Sequence, residues 1–234
     1  MGHPRARYGG GMARVLVVAD EISPVIHDAG VRRMRPDVVL GAGDLPWDYL
    51  EFLSSMLDVP VVFVPGNHDP QVEAPLSGFR GWLTSNGMPH EDPRPLGGIN
   101  ADESIIDVAG LRIAGLGGSI RYNDGPNQYT QEEFTKRAKR LLKVAAKRGG
   151  NVDVLLTHSP PRGLGDGDDP PHHGFEALHE VIETLQPTWN LHGHIHPYGQ
   201  PQPDRKLGST IIRNVVPYRL MEIEPNLHPV GGHG

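Results

Sequence analysis

Five short apolar runs, rich in β-branched residues and without polar alternation, constrain the fold more than any other feature of this sequence. They cover residues 15–19, 37–40, 61–64, 152–156 and 188–191. Runs without alternation are typical of strands buried on both faces, as in parallel sheets covered by helices. Amphipathic periodicity predicts helices over 46–58, 130–148 and 175–185, between and after these strands. The pattern predicts an α/β fold.

A side chain that can bind a metal ion follows each of these runs. The candidate ligands are Asp20, Asp44, Asn67, His158 and the pair His194 and His196. Ligands of open α/β sheets bind outside the carboxyl ends of the strands, so these side chains converge if the strands lie side by side. One polar residue after a strand is ordinary turn chemistry, but five such strand ends are harder to explain that way.

The donor chemistry points to oxygen and imidazole ligands. The chain has 13 histidines and no cysteine, which excludes disulfides, thiolate zinc sites and cysteine nucleophiles. Such donors suit Mn, Fe, Zn or Ni. Asp44 carries two oxygens that are able to bridge two ions. In an extended strand His194 and His196 would point to the same side, as two neighbouring cations require.

Charge and hydropathy disfavour several kinds of partner. With 22 basic and 28 acidic residues, the net charge is −6, which disfavours nucleic acid and anionic membranes. No apolar run is long enough to cross a bilayer, and residues 1–11 have no apolar core of a signal peptide. We therefore expect a cytoplasmic protein with a small-molecule substrate. One domain is predicted over 12–225, with flexible segments at 1–11 and 226–234; Met12 is a second possible start.

Several motifs occur together in an order that resembles the calcineurin-like metallophosphoesterases. They are Asp20, Gly43-Asp44, Gly66-Asn67-His68-Asp69, His158 and Gly193-His194-Ile195-His196. The resemblance extends from Asp20 to His196, and the Gly-Asn-His-Asp and Gly-His-x-His elements are highly specific together. The stretch Thr157-His158-Ser159-Pro160-Pro161 and the later Asp166 and His173-Gly174 are similar to one subgroup of that family.

The resemblance implies a four-layer α-β-β-α sandwich of two mixed sheets, with two divalent ions at the strand ends. Asp44 would bridge the ions. One ion would also take Asn67, His158 and His194, and the other Asp20 and His196. A metal-activated hydroxide would attack a phosphoric mono- or diester in line. His68 would be the general acid, and Asp69 would orient it or raise its pKa.

The first strand departs from the family pattern. The family has Asp-x-His there, whereas this chain has Asp20-Glu21-Ile22, and Ile22 cannot bind a cation. Glu21 is one candidate substitute ligand, but alternation would direct it away from Asp20 unless the strand has already broken, so we expect water in place of the missing ligand. The Asp20/His196 site is then the weaker one, and the other site fills first.

Some residues keep two interpretations. His173 is a candidate substrate contact or part of a solvated loop, and Arg121 and Tyr122 either contact a phosphate or face solvent. His192 is expected to be a hydrogen-bonded core residue. Residues 70–103 and 160–174 are expected to rim the pocket as loops. A non-catalytic protein that keeps the fold and binds a partner is the alternative to an enzyme. The substrate, the native metal and the oligomeric state stay open.

Overall fold

The non-alternating apolar runs become the parallel strands of two mixed sheets in a computed structural model of the chain. The structure describes residues 11–71, 95, 97–200 and 202–226, together with the backbone of 82–83 and 89–90. The strands are β1 (Ala13–Val18), β2 (Val38–Gly41), β3 (Val61–Phe63), β4 (Trp82–Leu83), β5 (Pro89–His90), β6 (Gly98–Asn100), β7 (Ile105–Val108), β8 (Leu111–Leu116), β9 (Ser119–Ile120), β10 (Gln128–Tyr129), β11 (Val154–Thr157), β12 (Trp189–His192), β13 (Arg205–Leu207), β14 (Thr210–Asn214) and β15 (Tyr218–Ile223).

The helices fall close to their predicted positions. They are α1 (Trp47–Leu57), α2 (Gln131–Lys147) and α3 (Ala177–Leu185), with 3-10 turns at Pro24–Ile26, Ala29–Met34 and Pro170–His172. None of the described helices has the length and hydropathy that crossing a bilayer requires. Of the termini predicted to be flexible, 1–11 and 226–234, residues 1–10 and 227–234 lie outside the described residues.

Each sheet has a parallel centre and an antiparallel margin. The first has the order β15-β1-β2-β3-β6, in which only β15 is antiparallel to its neighbour. The second has the order β13-β14-β12-β11-β8-β7, with β13 and β7 antiparallel at its two edges. Short pairs β9–β10 and β4–β5 complete the pairing. The expected α/β class with two mixed sheets is confirmed.

Three buried apolar clusters hold the layers together. The central one packs side chains of the first sheet, such as Val17 and Val62, against Leu156 and Leu191 of the second. One outer cluster packs α1 on the first sheet, and the other packs α2 and α3 on the second. Each fully buried aliphatic side chain contributes about 1.5–3 kcal/mol to the stability of this packing. The packed arrangement places the carboxyl ends of the parallel strands of both sheets at one edge.

Helix α2 begins at a capping box that its sequence encodes. The Thr130 hydroxyl accepts a hydrogen bond from Glu133 N at 3.2 Å, and the Glu133 carboxylate accepts one from Thr130 N at 2.8 Å. One basic residue of this helix, Arg137, does not face solvent and is only 4% exposed. Its guanidinium is buried because it pairs with Asp102 and Glu103 and donates to the Gly117 carbonyl at 2.8 Å.

The long segment after the third strand is only partly a loop. Within the predicted excursion 70–103, β6 adds a parallel strand to the edge of the first sheet beside β3. Its short, glycine-initiated sequence, Gly98-Ile99-Asn100, gives little periodicity to read. Most of the rest of this predicted pocket rim, including 72–81 and 84–88, lies outside the described residues.

Candidate metal centre

The side chains that follow the parallel strands meet at one edge of the sandwich. Asp20, Asp44 and Asn67 follow β1, β2 and β3 of the first sheet, while His158 and His194 follow β11 and β12 of the second. One ligand atom from each of Asp44, His158 and His194 lies within 4.8 Å of the other two. The two sheets thus bring together residues that are up to 174 positions apart in the sequence.

Asn67 completes this buried group. Its Oδ1 lies 3.0 Å from His158 Nε2, and Asp44 Oδ2 lies 3.3 Å from the same nitrogen. The other ring nitrogen, Nδ1, is 2.8 Å from the carbonyl oxygen of Ala42, which can only accept, so Nδ1 carries a proton. The lone pair of a neutral His158 is therefore on Nε2, directed at the two oxygens. This is how a backbone carbonyl orients a metal-binding imidazole.

The electrostatics of this group call for a cation. Burial disfavours the imidazolium, but the charges of Asp44 and Asp20 outweigh it and raise the pKa of His158 to about 10. Burial, opposed by the His158 charge and reinforced by Asp44, raises the pKa of Asp20 to about 6. Without a metal, a proton on Nε2 is needed to satisfy acceptors on every side. A divalent ion would replace that proton, so the donor set fits one.

His194 is a neutral member of the group. Burial and the nearby His158 charge lower the pKa of His194 to about 3. Its Nε2 donates to the Pro171 carbonyl at 2.9 Å, which leaves Nδ1 as the lone pair available to a metal. The ring centroids of His158 and His194 are 4.9 Å apart.

Two tight turns present Asp20 and His194 to the centre. Glu21 N donates to Ala19 O at 2.6 Å around Asp20, which has a φ of 62°, and Ile195 N donates to Gly193 O at 2.8 Å around His194, with a φ of 65°. Both are γ-turns of the rare strained kind. The two turns are joined, because His194 N donates to Asp20 Oδ1 at 3.0 Å and Oδ2 at 2.9 Å.

These turns correct two sequence arguments that relied on extended backbone. His194 and His196 do not alternate along a strand, because the chain turns at His194. His194 belongs to the buried group with Asp44 and His158, whereas His196 lies beside Asp20. His196 Nε2 lies 3.8 Å from Asp20 Oδ1. The turn at Asp20 also ends β1, so Glu21 is not on the opposite face: its Oε1 lies 2.7 Å from His196 Nδ1. Ile22 is 38% exposed.

Asp69 has a different position from the one predicted for it. Its Oδ2 accepts hydrogen bonds from Gly66 N at 2.7 Å and from Asp44 N at 2.9 Å. Among the described contacts it has no hydrogen bond to the His68 ring. Burial, together with the charge of Asp44, raises the pKa of Asp69 against the hydrogen bonds from these two amides. Its observed contacts therefore tie the loop of Asp44 to the loop of Asn67.

Two further residues support the same loops and were not singled out as supports from the sequence. Asn127 Nδ2 donates to the carbonyl oxygens of Gly66 and Asp69, both at 2.9 Å. The Tyr122 hydroxyl accepts from Asn67 Nδ2 at 3.2 Å, which fixes the amide so that its oxygen faces His158. Tyr122 follows Gly117-Gly118 and Arg121, and nothing in that local pattern indicates Asn67 as its partner.

Glycines allow the loops to approach each other this closely. A methyl group on Gly66 would overlap the Asp44 carboxylate, and one on Gly193 would overlap the Asp20 carboxylate. Neither glycine has a positive φ, so the requirement is for space alone. The centre is a cradle that any side chain at either position would fill.

The candidate general acid lies at the mouth of the centre. The His68 side chain is 73% exposed, and its Nε2 lies 4.0 Å from Asp44 Oδ2. Its backbone N donates to Asp44 Oδ1 at 2.8 Å, which places the residue directly over the buried carboxylate. An imidazole in this place is free to meet a substrate that enters from solvent.

The remaining residues that the sequence analysis considered have contacts outside the buried group. His173 Nε2 bonds to the Asp168 carbonyl, and it is His172 whose ring lies 5.3 Å from that of His194. Arg121 pairs with Glu133 of α2. His192 is buried and bonds to the Gly193 carbonyl at 2.9 Å, which confirms the prediction of a core residue, and burial lowers its pKa to about 4.

A comparison of the sequence with family models decides the relationship. The model of the calcineurin-like phosphoesterases matches residues 9–198. The chain belongs to the calcineurin-like phosphoesterase family. The family consists of metallophosphoesterases, which act with divalent metal ions on phosphoric esters, and the Asp44, His158 and His194 group agrees with that.

Individual relatives are distant. A lariat debranching enzyme of Schizosaccharomyces pombe is 24% identical over 176 residues, which are 64% of this chain and 36% of that protein. A UPF0046 protein of Caenorhabditis elegans is 30% identical over 63 residues, 27% of this chain and 22% of its own length. The chain thus spans about a third or less of the length of these curated relatives.

Solved structures share the fold. Protein TT1561 of Thermus thermophilus superposes with a TM-score of 0.50 at 15% identity, covering 86% of this chain and 88% of its own. A second crystal structure reaches a TM-score of 0.55 at 16% identity and covers 86% and 89%. Both agree with the sandwich described above.

Proposed function

We propose that this protein is a metal-dependent hydrolase of phosphoric mono- or diesters with two divalent ions at its centre. The observation that carries the proposal is the convergence of Asp44 Oδ2 and Asn67 Oδ1 on His158 Nε2, at 3.3 and 3.0 Å. When His158 is neutral, its Nε2 lone pair and the two oxygens face one another in a buried place, and a cation between them would offset their repulsion. His194 adds a fourth donor from the second sheet.

The two predicted sites share Asp44. The first would take Asn67, His158 and His194, and the second would take Asp20 and His196, whose Nε2 already faces the Asp20 carboxylate. Bound ions supply Lewis-acid charge stabilisation and a nucleophile at neutral pH. The chain itself excludes water from the His158 side, which is fully buried, and holds His68 at the open side.

His68 is proposed as the proton donor to the leaving oxygen. Its exposed ring stands above Asp44, so it can reach the side of the phosphoryl group that faces solvent. Asp69 acts on this step through the loops that it ties together, since its carboxylate binds the amides of Gly66 and Asp44. Manganese as the metal, a small-molecule substrate and a cytoplasmic location stay predictions.

The first test is Mn²⁺-dependent hydrolysis of bis-p-nitrophenyl phosphate by the wild-type protein and by His158→Ala. We expect turnover that requires metal and that falls in the variant by more than the roughly 100-fold typical of changes around metal ligands. His27→Ala is the matched control, because His27 packs on Tyr49 and Phe52 on the far side of the first sheet. Equal turnover in wild type and His158→Ala would contradict the proposal.

One observation favours a second candidate, a partner-binding protein that keeps the fold. Ile22 stands where the family has a histidine, and it is exposed rather than packed in the core. Under that interpretation the protein binds Mn²⁺ but hydrolyses neither bis-p-nitrophenyl phosphate nor the monoester p-nitrophenyl phosphate. Turnover of either compound that is lost in His158→Ala would exclude it.

A further inference from the structure

We infer that Glu21 is a positioning residue for the second metal site, acting through His196. The inference rests on the proposed function, because it concerns how one of the two proposed ions is held. Glu21 stands next to the missing histidine position and was expected to point away from the centre. The structure instead joins its Oε1 to His196 Nδ1 at 2.7 Å.

The contact determines which nitrogen of His196 can bind a metal. A carboxylate oxygen only accepts, so Nδ1 is the protonated nitrogen of His196 in this pair. The lone pair of the neutral ring is then on Nε2, the nitrogen that lies 3.8 Å from Asp20 Oδ1. A carboxylate on the distal nitrogen also raises the basicity of a ligating imidazole.

The local backbone makes the contact possible. The γ-turn at Asp20 reverses the direction of the chain directly after β1, so that Asp20 and Glu21 both lie near the His194–His196 segment. Asp20 holds the start of that segment through His194 N, and Glu21 holds its end through the His196 ring. The two adjacent carboxylates thus fix the two histidines of the Gly-His-x-His element.

Glu21 matters for the orientation of His196 because the His196 side chain is partly exposed to solvent. The His196 side chain is 35% exposed, whereas that of His158 is fully buried and packing holds it in place. Among the described contacts, the only hydrogen bond to the His196 ring is that of Glu21, besides a loose ring contact with Tyr198 at 6.0 Å. A candidate ligand held in this way loses its orientation when its hydrogen-bond partner is removed.

The test is calorimetric titration of the metal-free protein with Mn²⁺ for wild type, Glu21→Ala, Glu21→Gln, His196→Ala and the double variant Glu21→Ala/His196→Ala. We expect Glu21→Ala to weaken one of two bound ions about 10- to 100-fold and leave the other unchanged. Glu21→Gln recovers much of the loss, because its amide oxygen accepts the same bond at about half the strength. Adding Glu21→Ala to His196→Ala changes nothing further, because Glu21 acts through His196.

Glu132→Ala is the matched control, since it removes one exposed carboxylate from an ion pair with Lys136 on α2. Unchanged binding in Glu21→Ala would overturn the inference and leave a surface ion pair. An additional loss in the double variant would overturn it in favour of Glu21 as a direct ligand. If the wild-type protein binds only one ion, there is no second site and Glu21 has no role in positioning a ligand for it. Hydrolysis of the phosphoric ester by that same protein would still support the proposed function. Wild-type protein that binds no Mn²⁺ would instead count against the proposed function itself.

Discussion

The two halves of the proposed metal centre differ in how their candidate donors are held. In the half formed by Asn67, His158 and His194, each donor has a second partner that orients it: the Tyr122 hydroxyl, the Ala42 carbonyl and the Pro171 carbonyl. In the half formed by Asp20 and His196, the carboxylate is buried and bound to an amide, but the imidazole is one-third exposed and held by Glu21.

Both halves draw on both sheets, so the difference lies in the imidazoles. In the rigid half, formed by Asn67, His158 and His194, His158 follows β11 directly and is fully buried, so packing orients it. His196 lies two residues beyond the turn at His194, outside the regular part of β12. A donor held by the core costs little further entropy when it binds an ion, whereas a donor on a turn loses its own rotational freedom. We therefore expect the rigid half to bind metal more tightly.

Removing the link between the two loops of the rigid half has the largest expected effect. Asp69→Ala leaves Gly66 N and Asp44 N without an acceptor, and we expect it to lower the free energy of unfolding by roughly 2–4 kcal/mol. Asp69→Asn places an amide oxygen where Oδ2 accepts both bonds, so its loss is expected to be about 1 kcal/mol. Urea unfolding of the two variants measures this. Equal losses would show that the charge of Asp69, rather than its acceptor, is what the loops require.

Metal removal and pH together test whether a proton stands in for the ion. The pKa of His158 rises from the 6.5 of a free histidine to about 10 on folding, so the stabilisation from its charge is full below pH 6.5 and is lost as the pH rises through 10. Metal-free protein should therefore lose stability between pH 7 and 9, while Mn²⁺-saturated protein should not. Thermal unfolding across that range checks it. A slope that persists in metal-free His158→Ala would assign the titration to another group.

The affinities of the two proposed sites for Mn²⁺ test the difference between the two halves directly. We expect the two sites to differ in affinity by at least about tenfold, which corresponds to about 1.4 kcal/mol, with the rigid half filled first. Calorimetric titration of the metal-free protein with Mn²⁺ gives the dissociation constants of both sites. His196→Ala identifies the weaker step, because it should weaken that step alone. Two equal constants would show that burial and second partners make no difference here.

The smallest expected effect comes from the outermost support of the rigid half. Tyr122→Phe removes the hydroxyl that accepts from Asn67 Nδ2, and a neutral hydrogen bond contributes about 0.5–1.5 kcal/mol, or about 2- to 12-fold in affinity. The tighter Mn²⁺ constant should fall by that factor, with the weaker constant unchanged. Tyr129→Phe is the matched control, since that ring stacks with the Arg137 guanidinium of α2 instead. A change in the weaker constant would show that Tyr122 serves both halves.

The sequence alone determined the elements and the identity of the candidate donors. Non-alternating β-branched runs predict buried parallel strands wherever they occur, and the polar residue after each run is visible in one dimension. The helices 47–57, 131–147 and 177–185 follow from periodicity in the same way, because both signals are local. The order of Asp20, Asp44, Asn67, His158 and His194 along the chain thus identified the residues that the structure brings to one edge.

Only the tertiary structure decided how these donors are held. The partners that Asp69, Asn127 and Tyr122 bind on other loops are 25 to 61 residues away in sequence, and that of Glu21 is 175 away, so no local pattern encodes them. The γ-turns at Asp20 and His194 interrupt the alternation of side chains that an extended strand would have. They are linked by the hydrogen bond that the His194 amide donates to the Asp20 carboxylate between the two sheets. Backbone strain of that kind persists only where long-range contacts over-determine it, and those contacts exist only once both sheets have packed.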